Sequence, residues 1–240
     1  MKNKLFYVLF PFFFLGLTSC QQVFETSVFE FAARDNPRIS SNVSTDKLIQ
    51  LGIENSTDAK TSKAVFDALT KKDLTGLSSQ DKASVLTIGV NASNTNNAVM
   101  TTVDGFLKEN TLDNISSLSE EEQKKLLESV VKNVDTSVYT NEKFRELIND
   151  EDVLNASSPE TLCFVSAVIL TYSYNKYKTE PDPFEALADA AVDGSDPEMA
   201  DLKTVAEKIT NITITNTEDS GPLGSVFGDL ADMISGIISK

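Results

Sequence analysis

The side chains able to do chemistry in this chain are few in kind. It holds two cysteines, Cys20 and Cys163, no histidine, and 36 aspartates and glutamates. Without imidazole there is no His-activated nucleophile, no imidazole proton shuttle and none of the usual zinc or iron ligand sets. Two thiols build neither a disulfide framework nor a Cys-only metal cage. Chemistry must therefore come from a thiol or from carboxylates. The densest acids are Asp189, Asp193, Asp196, Glu198 and Asp201, around Gly194. An EF-hand-like calcium loop starting at Asp189 needs oxygen ligands where Ala191 and Ala200 stand, so that spacing fails. The cluster reads as a solvated turn between helices, and no metal site is assigned. Glu120, Glu121 and Glu122 fall in an expected first helical turn, where negative charge meets the positive end of the helix dipole. The acids at 150–152 and 180–182 read as loop acids. No Gly-x-Gly or Gly-Lys-Ser/Thr phosphate loop occurs. No catalytic residue and no cofactor are assigned, although glycoside cleavage runs on carboxylates alone.

The position of Cys20 carries more information. Lys2 and Lys4 give a cationic start, and residues 5–16 are almost wholly apolar. That run is shorter than the ~20 residues needed to span a bilayer and has the form of a secretory signal core. It ends in Leu17-Thr18-Ser19-Cys20, which resembles the lipobox of bacterial lipoproteins: Leu at −3, two small residues, then Cys. The resemblance covers residues 1–20 only. It implies that Cys20 takes a diacylglyceryl thioether, that the signal is cut before it, and that the new amino terminus is acylated. Gln21, not Asp, follows Cys20, which by analogy favours the outer membrane in a cell with two membranes. The expected organisation is a signal peptide over 1–19, a lipidated Cys and short tether with a first helix over 20–41, and a helical domain over 42–240. Within the tether, Phe24, Val28, Phe31 and Ala32 recur at helical spacing, and Asn36-Pro37 ends the helix because the residue before Pro leaves the helical region.

Charge and composition narrow the partners. The whole chain carries −15. Loss of Lys2 and Lys4 with the signal leaves 19 of the 21 cations against 36 anions, or −17. Such a body does not bind nucleic acid, which needs clustered cations, and anionic lipid repels it. The membrane is thus a partner through acyl chains, each buried methylene adding ~0.8 kcal/mol. Cys163 is then the remaining thiol. It lies in the apolar run Leu162-Cys163-Phe164-Val165 and is expected to be a buried small hydrophobe, with no basic neighbour to lower its pKa.

The elements that must position these groups are helical. Ser44, Ser78, Ser119, Ser157 and Ser195 each precede an apolar-periodic stretch, as N-caps do. Ser119 with Glu122 three residues on forms a capping box. Pro159 and Pro197 suit a first helical turn. The starts predict helix pairs over 44–52 and 58–70, 78–92 and 96–109, 119–134 and 141–149, 157–178 and 183–192, and 196–210 and 223–239. Ile212 and Ile214 alternate with threonines, which predicts a short extended segment before the last helix. The segment 157–178 has no polar face in its middle and is expected to be a buried central helix. Gly89 falls in a helical stripe and marks close packing. The fold class is mainly α: a succession of helical hairpins forming a bundle or a short α-solenoid-like array.

These features together point to an exported, lipid-anchored envelope protein whose helical body binds or scaffolds a partner protein. Two alternatives stay open. One is a carrier with an apolar cavity for a lipid or small hydrophobic ligand, lined by such residues as Phe164 and Ile169. The other is a carboxylate-dependent cell-wall hydrolase with an acid of raised pKa in a cleft.

Overall fold

Capping determines where the helices of this protein begin. The computed structural model describes residues 39–110, 119–193 and 196–215. Cys20, the tether helix expected over 24–32, Ser195 and the closing helix expected over 223–239 lie outside the described residues. The described elements are α1 (Thr45–Glu54), α2 (Ala59–Leu69), α3 (Ser79–Ala92), α4 (Thr95–Asn110), α5 (Glu120–Val131), a 3-10 turn (Thr136–Val138), α6 (Glu142–Ile148), α7 (Glu151–Ala156), α8 (Pro159–Tyr177), α9 (Pro183–Asp193) and α10 (Pro197–Thr215). Among the described residues there is no strand. Ser44, Ser78 and Ser119 accept from the amides of Lys47, Asp81 and Glu122, and Glu122 closes the capping box. Each removes a first-turn donor that has no partner inside its helix.

Four expectations are corrected. The cap of α8 is Ser158, whose oxygen accepts from Thr161 N; Ser157 ends α7, and its hydroxyl donates to Val153 O at 2.8 Å. The acids at 150–152 do not form a loop. Asp150 caps α7 through the amides of Asp152 and Val153, and Glu151 and Asp152 occupy the first turn. Helix α5 ends at Val131, three residues early, and a 3-10 turn capped by Asp135 follows. Residues 212–215 continue α10 and are not extended. The alternation of Ile and Thr was too short to oppose propagation of a helix already formed.

Two helices organise the packing. Helix α8 lies against α10, α9, α3, α4, α5 and the 3-10 turn, whereas α3 meets α1, α2, α6, α7 and α8. Contacts between α3 and α8, and between α7 and α10, join parts of the chain that a nearest-neighbour array keeps apart, so the architecture is the bundle. Residues 161–171 of α8 are all buried, as its apolar circumference predicts. Two hydroxyls inside it are satisfied locally, Ser166 donating to Leu162 O and Thr171 to Ala167 O, the back-bonding available to Ser and Thr within a helix, whereas the buried Ser173 Oγ has no partner. Helix α3 is pinned where its side chains are smallest. A Cβ on Gly89 would come within 2.9 Å of both the Phe66 and the Phe144 rings, which meet edge to face at 6.1 Å.

Two glycines in helices give opposite expectations. Gly89→Ala should destabilise the protein by about 1–3 kcal/mol through overpacking, despite a helix-propensity gain of roughly 1 kcal/mol. Gly105→Ala in α4 meets nothing within 4 Å and should stabilise by up to about 1 kcal/mol. Urea titration of the two variants measures both signs.

Candidate functional site

Helix α3 has two faces. Val85, Leu86 and Ile88 face the core. Gln80, Ser84, Thr87 and Asn91, at helical spacing, face a cavity of about 310 Å³ between α3 and the start of α8. Ser157, Ser158, Glu160, Thr161 and Phe164 form the opposing wall, and Ser56 and Asn96 stand at the edge. The α3–α4 junction places Asn96. Asn94 adopts φ 58° there, a left-handed conformation that Asn tolerates better than most residues. Asp135 N donates to Ser93 O at 2.9 Å and ties the segment after α5 to this junction.

The two walls are joined by hydroxyls. Thr87 Oγ1 and Thr161 Oγ1 lie 3.0 Å apart, and Thr87 also donates to Ala83 O at 3.0 Å. Asn91 is only 6 % exposed. Its carboxamide lines the cavity and makes no hydrogen bond to any described residue. Among the described residues the buried side-chain polar atoms without a partner are Ser173 Oγ and Asp196 Oδ2; the Asn91 carboxamide is not one of them and opens to the cavity. The lining contains no Lys or Arg.

A second polar cluster fastens α8 to α10. Lys176 lies 3.3 Å from Asp196 Oδ1 and pairs with Glu198. Its ammonium sits 5.4 Å from the centre of the Tyr172 ring, within cation–π range. Tyr172 packs on Tyr139 at 4.8 Å, and Tyr139 donates to Asp201 Oδ2 at 2.7 Å. Burial, then the hydrogen bond to Asp201, raises the Tyr139 pKa, so the phenol stays a donor. Asp196 is 3 % exposed, and its Oδ1 accepts from Glu198 N as an N-cap does. Burial pushes its carboxyl up, but hydrogen bonds at Glu198 and the Lys176 charge outweigh that and hold it below its ordinary value. The acids around Gly194 are therefore not simply a solvated turn: Asp196, Glu198 and Asp201 are fastenings, while Asp189 is exposed. Among the described residues, no group of three or more Asp, Glu or Cys side chains is placed to hold a metal ion.

Cys163 is fully buried, and burial pushes its thiol up to about 12, so it is not a nucleophile at neutral pH. Ile169 is packed in the core with no exposure, and Phe164 forms part of a wall that is otherwise mostly polar. The sequence reading did not single out Gln80, Thr87, Asn91, Asn96 or Thr161. A signal for them existed in the spacing 80, 84, 87, 91, a polar stripe down a helix whose other faces are apolar. No helix among the described residues is long and apolar enough to cross a membrane.

The Asp196 carboxyl has a definite consequence for stability. Its folded pKa lies below the ordinary 3.8, so its contribution is complete above that value and is lost as pH falls through the folded one. Asp196→Asn should flatten the acid limb of the stability curve, measured by urea midpoints between neutral and acid pH. An unchanged slope would contradict this coupling. The chain matches no protein-family model, no curated protein and no solved structure, so what it does must be read from these residues.

Proposed function

We propose that this is an exported protein, held at the membrane by lipid on Cys20, whose helical body is a binding module for a partner in the bacterial envelope. The observation that carries the binding role is the α3–α8 cavity of about 310 Å³, into which Gln80, Ser84, Thr87, Asn91 and Asn96 bring polar side chains. Convergent polar groups in a concave site supply orientation and specificity to a bound molecule. The acidic body adds no membrane affinity of its own, which gives the thioether at Cys20 its role. Tethering would confine the module near the membrane and raise its effective concentration for a partner there.

The lining mixes Ala83, Val90, Ala156 and Phe164 with ten polar residues, and that polar share supports this role over that of a carrier for apolar ligands. A cell-wall hydrolase needs a carboxyl held above its usual pKa to act as an acid. Among the described residues, each carboxyl with a resolved shift moves downward: Asp58, Asp73, Glu121, Glu122, Asp150, Glu151 and Asp196.

Two measurements test the proposal. Mass spectrometry of the mature amino-terminal peptide should find Cys20 as the first residue, with a diacylglyceryl thioether. Cys20→Ala should abolish that peptide and the acyl-dependent membrane fraction; an unmodified Cys20 overturns the anchoring. For the body, a photo-crosslinking amino acid at Ser84, beside the cavity, should yield a discrete adduct in living envelopes. The same group at exposed Lys203 on α10 should not. No adduct at Ser84, or equal adducts at both positions, overturns the binding role of this face.

A further inference from the structure

Charge is divided unevenly over the fold. Residues 39–78, which hold α1, α2 and the turn after them, carry five lysines against five acids. Residues 176–215, which hold the end of α8 with α9 and α10, carry four lysines against nine acids, a net −5. Packing assigns the two groups to different hubs. Helices α1 and α2 lie on one another and on α3, whereas α9 and α10 lie on one another and on α8.

Ion pairing does not even out the difference. Lys176 is engaged by Asp196 and Glu198, and Lys208 by Glu151. Glu180, Asp189 and Glu207 stand exposed on the acidic side. On the neutral side the exposed face of α1 carries Lys47, Gln50 and Ile53. Ile53 is 50 % exposed, and it is the one exposed large hydrophobic side chain among the described residues.

The anchor joins the body on the neutral side. Residues 21–38 separate Cys20 from Ile39, and residues 39–44 lead directly into α1. Lys72, just after α2, donates to Ser41 O at 2.6 Å, which fixes this entry beside the end of α2. The chain from Cys20 to Ile39 reaches at most about 65 Å. A body held by lipid on Cys20 therefore stays near the membrane and meets it repeatedly.

The field of the lipid surface discriminates between the two sides. An anionic leaflet acts on each charge brought within about one Debye length, ~8 Å at physiological salt. Bringing the α9–α10 side into that layer sets a net −5 against it. Bringing the α1–α2 side into it adds no net charge. On that side exposed lysines reach headgroup phosphates, and Ile53 meets the apolar boundary.

We infer that the anchored body turns its α1–α2 side, with Lys47, Gln50 and Ile53 on the surface, to an anionic lipid bilayer and holds α9 and α10 toward the aqueous phase. This rests on the lipid at Cys20 proposed above and adds an orientation to it. The acyl chains still supply the attachment, because a neutral face has no net electrostatic attraction to lipid.

The test uses the full-length lipidated protein in vesicles of phosphatidylcholine, with or without phosphatidylglycerol, that carry an energy-transfer acceptor on the headgroups. A donor dye is placed on Gln50→Cys or on Thr179→Cys, both exposed sites whose replacement changes no charge. Cys163 is fully buried and stays unlabelled. On anionic vesicles, transfer from position 50 should exceed transfer from position 179 at least roughly twofold, and the excess should shrink in molar salt. Reversing three exposed acids together, Glu180→Lys, Asp189→Lys and Glu207→Lys, turns the net −5 of the acidic side to +1 and should abolish the excess. Because these side chains are exposed, the variant should fold normally, which circular dichroism checks. Equal transfer from the two positions on anionic vesicles, or an excess that survives the charge reversal, overturns the orientation while leaving the anchor intact. A protein that fails to float with the vesicles overturns the anchor and the orientation together.

Discussion

The fold depends on removing the surface of α8 from water. Its middle, from Thr161 to Thr171, has apolar or internally satisfied side chains all the way round. Such a helix has no stable position at a surface, so its neighbours must enclose it. Burying one large aliphatic side chain contributes about 1.5–3 kcal/mol, and α8 buries Leu162, Val165, Val168, Ile169 and Leu170 together. Helices α10, α9, α3, α4 and α5 supply the enclosure. The second hub, α3, is half committed to the same task. Its apolar side carries Val85, Leu86 and Ile88 into the core, and Gly89 admits the two phenylalanine rings. Its remaining face is then left over, and that face is polar.

The leftover face explains why the cavity lies where it does. At the start of α8 the chain has just left α7 through Ser157 and Ser158, residues needed as cap and C-terminal partner. Across from them α3 presents Ser84, Thr87 and Asn91. Two walls built of capping and back-bonding residues cannot interdigitate as leucines do, because each hydroxyl must keep its own hydrogen bond. The hydrogen bond between Thr87 and Thr161 joins them across the cavity. The opposite end of α8 is closed by a different device. There Lys176, Asp196 and Glu198 form a partly buried ionic fastening, with Tyr139 and Asp201 beside it. It joins α8 to α10 through Asp196 Oδ1 and Glu198, while Asp196 Oδ2 stays buried without a partner.

Local rules were legible in the sequence, whereas long-range pairing was not. The caps at Ser44, Ser78 and Ser119, the burial of the middle of 157–178 and the close packing at Gly89 follow from interactions within a few residues or from the apolar pattern of one helix. Helix α7 was missed for a related reason. Its acids were read as a loop because a six-residue helix has almost no period to detect, and its support comes from Lys82 on Asp150 and Lys208 on Glu151, contacts 68 and 57 residues away in sequence. The cavity suffers from the same gap. The polar stripe on α3 was visible at 80, 84, 87 and 91, but a stripe alone is as compatible with solvent as with a site. Only its pairing with the first turn of α8, 74 residues further from Thr87 to Thr161, gives it a facing wall.

The distinction between the two polar clusters is one of bookkeeping between donors and acceptors. Around Lys176 a cation meets carboxylates, a tyrosine proton meets Asp201, and the charges largely answer one another within the protein. Such a cluster rigidifies, and disturbing it shows in stability. The cavity groups have no such closure among themselves: Gln80, Ser84, Thr87 and Asn91 line it along α3, Glu160 stands in the first turn of α8, and the lining holds no Lys or Arg. Polar groups that open to a concave space can orient a bound molecule, which is the physical ground for separating a candidate site from a fastening.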